Sequence, residues 1–253
     1  MRIALIADIH SNLEALEAVL RDVESARGGV DAWWCLGDIV GYGPDPEACL
    51  QRVRDLEARC IAGNHDWGAV GKVALTEFNR AAAEACRWNG EHLGAGERAF
   101  LADLPLTVEV QGFTLAHGSP RDPIWEYLLS PEQAQDCLAL LRTRHGLVGH
   151  SHLPLWFSLP DGGEAMPTGR QALTYGSLTE EAPLRLASGR FILNPGSVGQ
   201  PRDGDPRAAY AIYDGDTNSV TGYRVEYDIP KVQAKVVAAG LPATLAQRLS
   251  FGW

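Results

Sequence analysis

Short apolar runs alternate with amphipathic stretches in the first quarter of the chain. Residues Arg2 to Ala7 form an apolar run that ends at a carboxylate, which is typical of a buried strand. After Asn12, apolar side chains recur at helical spacing, at Leu13, Leu16, Val19, Leu20 and Val23. The pattern predicts a strand, a loop and a helix.

The same unit recurs further along the chain. Ala32 to Leu36 is a second apolar run that ends at Gly37, and Pro46 opens a helical stretch that reaches Leu56. A third run, Arg59 to Ala62, ends at Gly63. Strands that alternate with helices in this way predict a sheet with right-handed crossover connections.

After residue 105 the pattern changes from strands alternating with helices to paired short strands. Leu106 to Val110 and Phe113 to Ala116 are short runs joined by Gln111 and Gly112, which predicts a hairpin. We then expect a helix over Pro131 to Thr143 and a strand over Leu147 to Val148.

The rest of the chain is mostly strand and turn as far as Tyr227, with Pro160 to Gly169 interpreted as a hairpin loop. Two helical stretches follow, Pro230 to Ala239 and Pro242 to Leu249. The sequence has no internal repeat, low-complexity tract or dividing linker. We therefore expect residues 1–253 to form one α/β domain of two packed sheets with helices outside.

Composition and charge narrow the class of protein. The 253 residues are 45% hydrophobic and 21% charged, as in globular proteins, and the net charge of −10 argues against a nucleic-acid or membrane surface. The N-terminal apolar run is too short for a signal peptide, and no run of about 18 apolar residues occurs. Five cysteines without a CxxC pair indicate a reducing compartment, so we expect a cytoplasmic protein.

Five of the seven histidines follow predicted strands, beside Gly, Asp or Asn. The pieces are Asp8-Ile9-His10, Gly37-Asp38, Gly63-Asn64-His65-Asp66, His117-Gly118 and Gly149-His150-Ser151-His152. Strand exits of an open sheet converge on one edge, so these groups are expected to meet. On extended backbone, residues i and i+2 project the same way, which would pair Asp8 with His10 and His150 with His152.

Imidazole and carboxylate together suit Zn, Mn, Fe, Co or Ni, and the cysteines stand away from every piece. This favours an open, catalytic metal site. Each piece alone has an ordinary alternative, such as a helix cap after Asp8, a turn with left-handed Asn64, or a core histidine at His117. His92 and His145 have no such setting and are taken as ordinary.

The ordered motifs D-x-H, G-D-x-x-G, G-N-H-D, H-G and G-H-x-H resemble those of the calcineurin-like metallophosphoesterase superfamily. The segment Asn194-Pro195-Gly196-Ser197-Val198-Gly199-Gln200-Pro201-Arg202 resembles the C-terminal motif of its small bacterial phosphodiesterase branch. The resemblance implies a four-layer αββα sandwich of two mixed sheets flanked by helices. It also implies a two-metal centre at the sheet edge.

The resemblance further implies a role for each motif residue. Asp8, His10 and His152 would hold one divalent transition-metal ion and Asn64, His117 and His150 a second, with Asp38 bridging and His65 catalytic. The implied reaction is hydrolysis of small organic phosphodiesters or monoesters by in-line attack of a metal-bridging hydroxide. The partner would be a small phosphorylated substrate.

The second motif departs from one branch of the family. Protein phosphatases of this superfamily carry G-D-x-x-D-R-G, but this chain reads Gly37-Asp38-Ile39-Val40-Gly41-Tyr42-Gly43. This disfavours a protein phosphatase and, less firmly, a symmetrical dinucleoside polyphosphate hydrolase. Asp45, Asp66 and Asp203 are candidates to orient His65 in place of the missing carboxylate.

The segment after His117 is a candidate lid, in which Arg121 would bind phosphate and Trp125 or Tyr127 would stack on a base or aryl group. The alternative is a surface loop with an aromatic anchor in the core. Arg202 is a second candidate for phosphate, or else a solvated turn residue. A non-catalytic interaction scaffold remains the alternative of a different class, although His65 beside all seven ligand types favours an enzyme.

Overall fold

Two sheets of six strands each pack face to face in the part of the chain that the structure describes, residues 1–162 and 171–253 of a computed structural model. The strands are β1 (Arg2–Ile6), β2 (Ala32–Cys35), β3 (Arg59–Cys60), β4 (Thr107–Val110), β5 (Phe113–Ala116), β6 (His145–Leu147), β7 (Pro154–Leu159), β8 (Thr174–Ser177), β9 (Leu184–Arg185), β10 (Arg190–Pro195), β11 (Ala208–Asp214) and β12 (Ser219–Val225).

Both sheets are mixed, as the family resemblance implied. The first has the order β3-β2-β1-β11-β12-β9, and β1, β2 and β3 are parallel to one another, as expected from the crossover pattern. The second has the order β4-β5-β6-β10-β7-β8, with β5, β6 and β10 parallel. The carboxyl ends of β1, β2, β3, β5 and β6 carry the predicted ligand residues, so these ends decide where the site lies.

One apolar core lies between the sheets, and a larger one lies between the first sheet and its helices. Leu5 and Trp34 of the first sheet meet Phe113 and Leu193 of the second, and the rings of Trp34 and Phe113 are 5.8 Å apart in an edge-to-face contact. The other face of the first sheet is also apolar. This explains why β1 is a continuous apolar run rather than an alternating one.

Helices cover the outer faces and complete the four layers. They are α1 (Leu13–Ser25), α2 (Pro46–Asp55), α3 (Asn64–Ala69), α4 (Arg80–Glu91), α5 (Ala95–Asp103), α6 (Pro131–Leu140), α7 (Ile229–Ala238) and α8 (Ala243–Arg248), with a 3₁₀ turn at Leu75–Glu77. Helix α1 begins where the Asn12 side chain accepts a hydrogen bond from the Ala15 amide, and α6 begins at a capping box on Ser130.

Most of the predicted elements are present, with shifted ends. The hairpin of β4 and β5 is confirmed, whereas α6 ends at Leu140 rather than Thr143, and β6 begins at His145 rather than Leu147. Residues 64–103, to which the sequence pattern assigned no helix, contain α3, α4 and α5. Asn64 starts α3 and does not adopt the left-handed turn considered for it.

The predicted hairpin loop from Pro160 to Gly169 lies mostly outside the described residues. Within the described part of the chain, no helix combines the length and the apolar character needed to cross a bilayer.

Candidate metal centre

The predicted ligand residues meet at the edge where the two sheets adjoin. Sheet one contributes residues after β1, β2 and β3, and sheet two contributes residues after β5 and β6. Their side chains are buried, none being more than 4% exposed: Asp8, His10, Asp38, Asn64, His65, His117, His150 and His152. Motifs that are far apart in the sequence thus form one compact cluster of buried polar side chains.

The pairs Asp8 with His10 and His150 with His152 converge, but not for the reason that the sequence analysis gave. These four residues are not on extended backbone, because their φ angles are 54°, 50°, 63° and 62°. Non-glycine residues rarely adopt this left-handed conformation, and doing so costs about 1 kcal/mol or more. The prediction of strand-like projection was wrong, and tight turns aim the side chains instead.

Among the described residues, three groups of side chains have ligand atoms close enough to share a cation. In each group the ligand atoms lie within 4.8 Å of one another. The groups are Asp8 with His10 and His152, Asp38 with His117 and His150, and His10 with Asp38 and His65. Asn64 joins the second group, since its Oδ1 lies 3.2 Å from Nε2 of His117.

Hydrogen bonds to backbone carbonyls orient the imidazoles. Three histidines donate from Nδ1, which leaves the Nε2 lone pair free for a metal. The pairs are His10 with the carbonyl of Val40 (3.2 Å), His117 with that of Leu36 (2.8 Å), and His152 with that of Gln200. The ring of His150 has the opposite orientation. Its Nε2 forms a hydrogen bond with the carbonyl of Trp125 at 3.2 Å, so Nδ1 is the nitrogen left for a metal.

The donor set fits divalent transition metals. Oδ2 of Asp38 is buried and has no hydrogen-bond partner in the described residues, although Nε2 of His117 lies 3.3 Å away and Nε2 of His10 lies 3.7 Å away. A buried carboxylate oxygen without a partner is costly, and a cation would satisfy it. Nitrogen donors around a shared carboxylate are the ligands that Mn, Fe, Co, Ni and Zn accept.

Burial and charge separate the pKa values of the acidic and basic groups. Burial raises the pKa of Asp8 to about 7, and it lowers the pKa of His150 to about 3. Burial also opposes ionisation of Asp38 and His117, but their mutual attraction outweighs it: the pKa of Asp38 is lowered and that of His117 is raised to about 9. Without a metal, this pair holds a proton with which a cation must compete.

His65 is positioned by ring contacts rather than by a carboxylate. Its ring packs against the rings of Tyr42 and Phe78, with ring centres 4.4 Å and 4.9 Å away. Its Nδ1 has no hydrogen-bond partner in the described residues. Its amide donates to Oδ1 of Asp38 at 2.8 Å. Burial lowers the pKa of the ring to about 4.

The three carboxylates considered for orienting His65 bind other groups. Asp66 accepts from the amides of Val40 (3.1 Å) and Gly63 (3.0 Å), so it supports the turns rather than the ring. Asp45 accepts from Lys235, and Asp203 accepts from Arg224.

A cleft of about 110 Å³ opens onto the cluster. Trp125 and Tyr127 line it, and the Tyr127 ring stacks on His150 at 4.0 Å. The loop is held to the core by Ile124 and Leu128, which are buried. The aromatic residues of the predicted lid therefore face the cleft and do not anchor the loop.

The two candidate phosphate-binding arginines have different settings. Arg202 lines the cleft, and its Nη2 donates to Oη of Tyr42 at 3.3 Å and to Oε1 of Gln200 at 3.0 Å. Arg121 does not line it: its guanidinium is 44% exposed and ion-paired with Glu126 and Asp136. Of these two arginines, Arg202 faces the cleft and Arg121 does not.

Residues 1–218 match the model of the calcineurin-like phosphoesterase superfamily domain. The chain belongs to this superfamily. A metallophosphoesterase from Sphaerobacter thermophilus, known from its crystal structure, is 42% identical, with 100% of this chain and 99% of that chain aligned at a TM-score of 0.86. The fold and the hydrolase class that the motifs implied are thus confirmed, and divalent metals are the cofactors of this family.

Two curated relatives add to the comparison. The uncharacterized protein MJ0912 of Methanocaldococcus jannaschii is 39% identical over 99% of this chain and 98% of its own length. A symmetrical bis(5′-nucleosyl)-tetraphosphatase of Cronobacter sakazakii is 41% identical over 64 residues only, which is 24% of this chain and 22% of that protein.

Sequence reasoning missed three residues of this phosphoesterase's site. Tyr42 and Phe78 enclose His65, and Asn89 holds the turn after β2, because its Oδ1 accepts from the Gly41 amide (2.9 Å) and its Nδ2 donates to the Gly43 carbonyl (3.1 Å). Tyr42 lies inside a recognised motif and could have been noted. Asn89, in the last turn of α4, carries no local signal of its role.

Proposed function

We propose that this protein is a phosphoesterase that uses two divalent transition-metal ions to hydrolyse small organic phosphodiesters or monoesters. We propose manganese as the metal ion, and iron, zinc, cobalt and nickel suit the same donor atoms. The observation that carries the proposal is Asp38, whose two-sided placement links His10 with His117 and whose Oδ2 has no other partner among the described residues.

The division of the ligands supports two ions rather than one. Asp8, His10 and His152 form a group on one side of Asp38, while His117 and His150 form a group on the other. Asn64 adds an oxygen to the second group without adding negative charge. Bound divalent cations would activate water and neutralise phosphate charge.

The remaining residues of the cleft have roles that follow from their positions. Arg202 is placed to bind a nonbridging phosphate oxygen, since it lines the cleft that opens onto the cluster. The His65 amide donates to Asp38, and the His65 ring is placed to protonate the oxygen of the leaving group or to stabilise the charge on it. Trp125 and Tyr127 form a wall against which the organic part of a substrate would pack.

A symmetrical dinucleoside polyphosphate hydrolase is the second candidate. The local match to the tetraphosphatase favours it, although the match spans only 22% of that relative. The second motif of this chain, with Gly41 and Tyr42 in place of Asp and Arg, argues against it. The two candidates differ in their substrates and not in their metal chemistry.

The test is a substrate panel with defined metal content. Metal-free protein is reconstituted with Mn²⁺, its metal content is measured by elemental analysis, and turnover is followed with bis(4-nitrophenyl) phosphate, 4-nitrophenyl phosphate and diadenosine tetraphosphate. We expect two ions per chain and hydrolysis of a nitrophenyl ester. Preference for diadenosine tetraphosphate by a factor of 10 or more would favour the second candidate. Binding of two ions without any hydrolysis would favour the scaffold alternative.

A further inference from the structure

A second and larger cavity lies beside the metal cleft. Its volume is about 440 Å³, against about 110 Å³ for the cleft. It is lined by α8 and the residues that follow, including Leu245, Arg248, Phe251 and Trp253, with Asn79 on the opposite wall. No motif identified in the sequence accounts for this cavity.

The cavity adjoins the metal cleft on the side of His65. Tyr42 and Asn79 line both spaces. The Tyr42 ring contacts His10 at 4.6 Å and His65 at 4.4 Å, and the guanidinium of Arg248 lies 5.9 Å from the same ring. A group that leaves phosphorus on the His65 side would therefore extend toward Arg248.

Arg248 pairs with no Asp or Glu side chain in the part of the chain that the structure describes. Many arginines on this protein are ion-paired, as Arg52 is with Glu17 and Arg207 is with Asp205. Arg248 instead donates from Nε to the backbone carbonyl of Trp253, and desolvation lowers its pKa. Its remaining N–H groups are available for the edge of a polar ring.

Two aromatic side chains are exposed at the mouth of the cavity. Phe251 is 56% exposed and Trp253 is 64% exposed, with their rings 5.1 Å apart at an angle of 30°. Exposed aromatic rings next to a guanidinium with free N–H groups form the kind of surface on which a base stacks.

The cavity wall is held in place by the rest of the fold. Lys235 of α7 donates to Glu14 of α1 at 3.0 Å and also to Asp45 at the start of α2. Val232 of α7 and Leu245 of α8 are buried in one apolar cluster with Tyr42. Helix α8 therefore has a defined position relative to the metal cleft.

We propose that this cavity is the leaving-group subsite of the enzyme and takes a nucleoside. The base lies against Phe251 and Trp253, Arg248 contacts its polar edge, and the pentose lies along Tyr42, which lines both spaces. In the reaction, water forms a new P–O bond, the ester bond to the nucleoside oxygen breaks, and that oxygen receives a proton. The inference rests on the proposed phosphoesterase function and names the substrate class.

The test compares leaving groups of matched chemistry. The Mn²⁺-loaded enzyme is assayed with adenosine 5′-monophosphate against glycerol 3-phosphate, and with adenylyl-adenosine against glycerophosphoethanolamine, because all four expel an alkoxide. We expect kcat/KM for at least one nucleoside ester to exceed that of its glycerol counterpart about tenfold or more. Trp253→Ala and Arg248→Ala should reduce this ratio at least threefold while leaving the glycerol ester unaffected.

Two further variants separate loss of the subsite from loss of the fold. Thr244→Trp, which fills the cavity from α8, should lower nucleoside turnover only. Tyr175→Ala, which removes a 66% exposed ring on β8, should change neither substrate. Equal kcat/KM for both members of each pair, or ratios that the cavity variants do not change, would overturn the subsite and leave the phosphoesterase function standing.

A binding experiment tests the subsite in the case where the enzyme hydrolyses none of these esters. Saturation-transfer NMR of adenosine 5′-monophosphate with the metal-free protein should show contact at the base protons in the wild type. The contact should be lost in Trp253→Ala and retained in Tyr175→Ala. If no ester is hydrolysed but this result is obtained, the subsite stands and the proposed reaction is wrong. If the base protons show no contact, the subsite is wrong as well.

Discussion

At the scale of single residues, Asp38 connects the two halves of the site. Its Oδ1 accepts from the His65 amide at 2.8 Å, while its Oδ2 faces Nε2 of both His10 and His117. Both groups of proposed ligand residues therefore face one carboxylate, whose Oδ2 has no hydrogen-bond partner in the described residues.

Asp38→Asn is expected to weaken both metals, whereas His10→Ala should weaken mainly one. An amide presents one oxygen and carries no charge. The variant therefore loses the negative charge whose attraction to the histidines lowers the pKa of Asp38 and which would hold both cations. Metal titrations followed by calorimetry check this, with an expected loss of about 10-fold or more in affinity at each site. Full metal content together with wild-type turnover in Asp38→Asn would show that the bridge is misassigned.

His65→Ala is expected to keep both metals and the fold but to lose about 100-fold in turnover. The loss should be largest for alkoxide leaving groups, which need a proton, and smallest for nitrophenolate. Because the ligand atoms of His65 lie near those of His10 and Asp38, elemental analysis of the variant is the necessary control. Loss of one ion per chain would make His65 a ligand instead.

At the scale of elements, the conformation of the turn after β2 depends on helix α4, which is distant from it in the sequence. Gly41 has a φ of 98°, and a Cβ there would lie 2.4 Å from Nδ1 of His65. Asn89 of α4 holds the same turn by hydrogen bonds to Gly41 and Gly43. The absence of a side chain at Gly41 is what lets the His65 ring pack against Tyr42.

Gly41→Ala should lower turnover about 10-fold or more, because the new methyl group collides with the ring of His65 in addition to the strain of a positive φ. Gly71→Ala is the matched control. Gly71 has a φ of 79° but open space around the added Cβ, so it carries the strain without the collision. Steady-state kinetics and thermal melts of both variants separate the two effects. Equal turnover losses in both would attribute the effect to strain alone.

At the scale of the whole molecule, the core between the sheets also contains a histidine without a role in the site. His145 on β6 is 6% exposed and packs against Phe113 at 5.2 Å and Phe191 at 5.6 Å. Burial, with the charges of Arg144 and Arg190, lowers its pKa to about 4. Its protonation therefore opposes folding.

His145→Phe should flatten the dependence of stability on pH. The unfolded pKa of histidine is about 6.5, so the folded state binds fewer protons between pH 4 and 6.5, and the stability from neutral His145 is present above pH 6.5 and lost as the pH falls toward 4. Between pH 7 and 4.5 the variant should lose about 1–2 kcal/mol less than the wild type, after allowing for partial solvation. Urea unfolding of the metal-free protein measures this, with His92→Phe at the exposed end of α4 as control. Identical slopes for His145→Phe and wild type would contradict the prediction.

The sequence by itself determined the elements whose apolar pattern is regular and the order of the ligand types. Strands β1 and β2, helix α1 and the hairpin of β4 and β5 were predicted because their signals lie within two to four residues of one another. The clustering of the proposed ligand residues was predicted because each follows a strand and parallel strand ends share an edge. Their individual roles came from the resemblance to the family.

Tertiary structure alone decided what depends on residues far apart in the chain. Strand β11 inserts between β1 and β12, and Arg202 rather than Arg121 faces the cleft, because Glu126 and Asp136 pair with the latter. The left-handed turns at Asp8 and His150 are likewise stabilised from outside their own segments, as the hydrogen bonds from the His150 amide to the Asp8 carboxylate show. A local pattern records how each segment folds, whereas these contacts join segments that meet only when the two sheets pack.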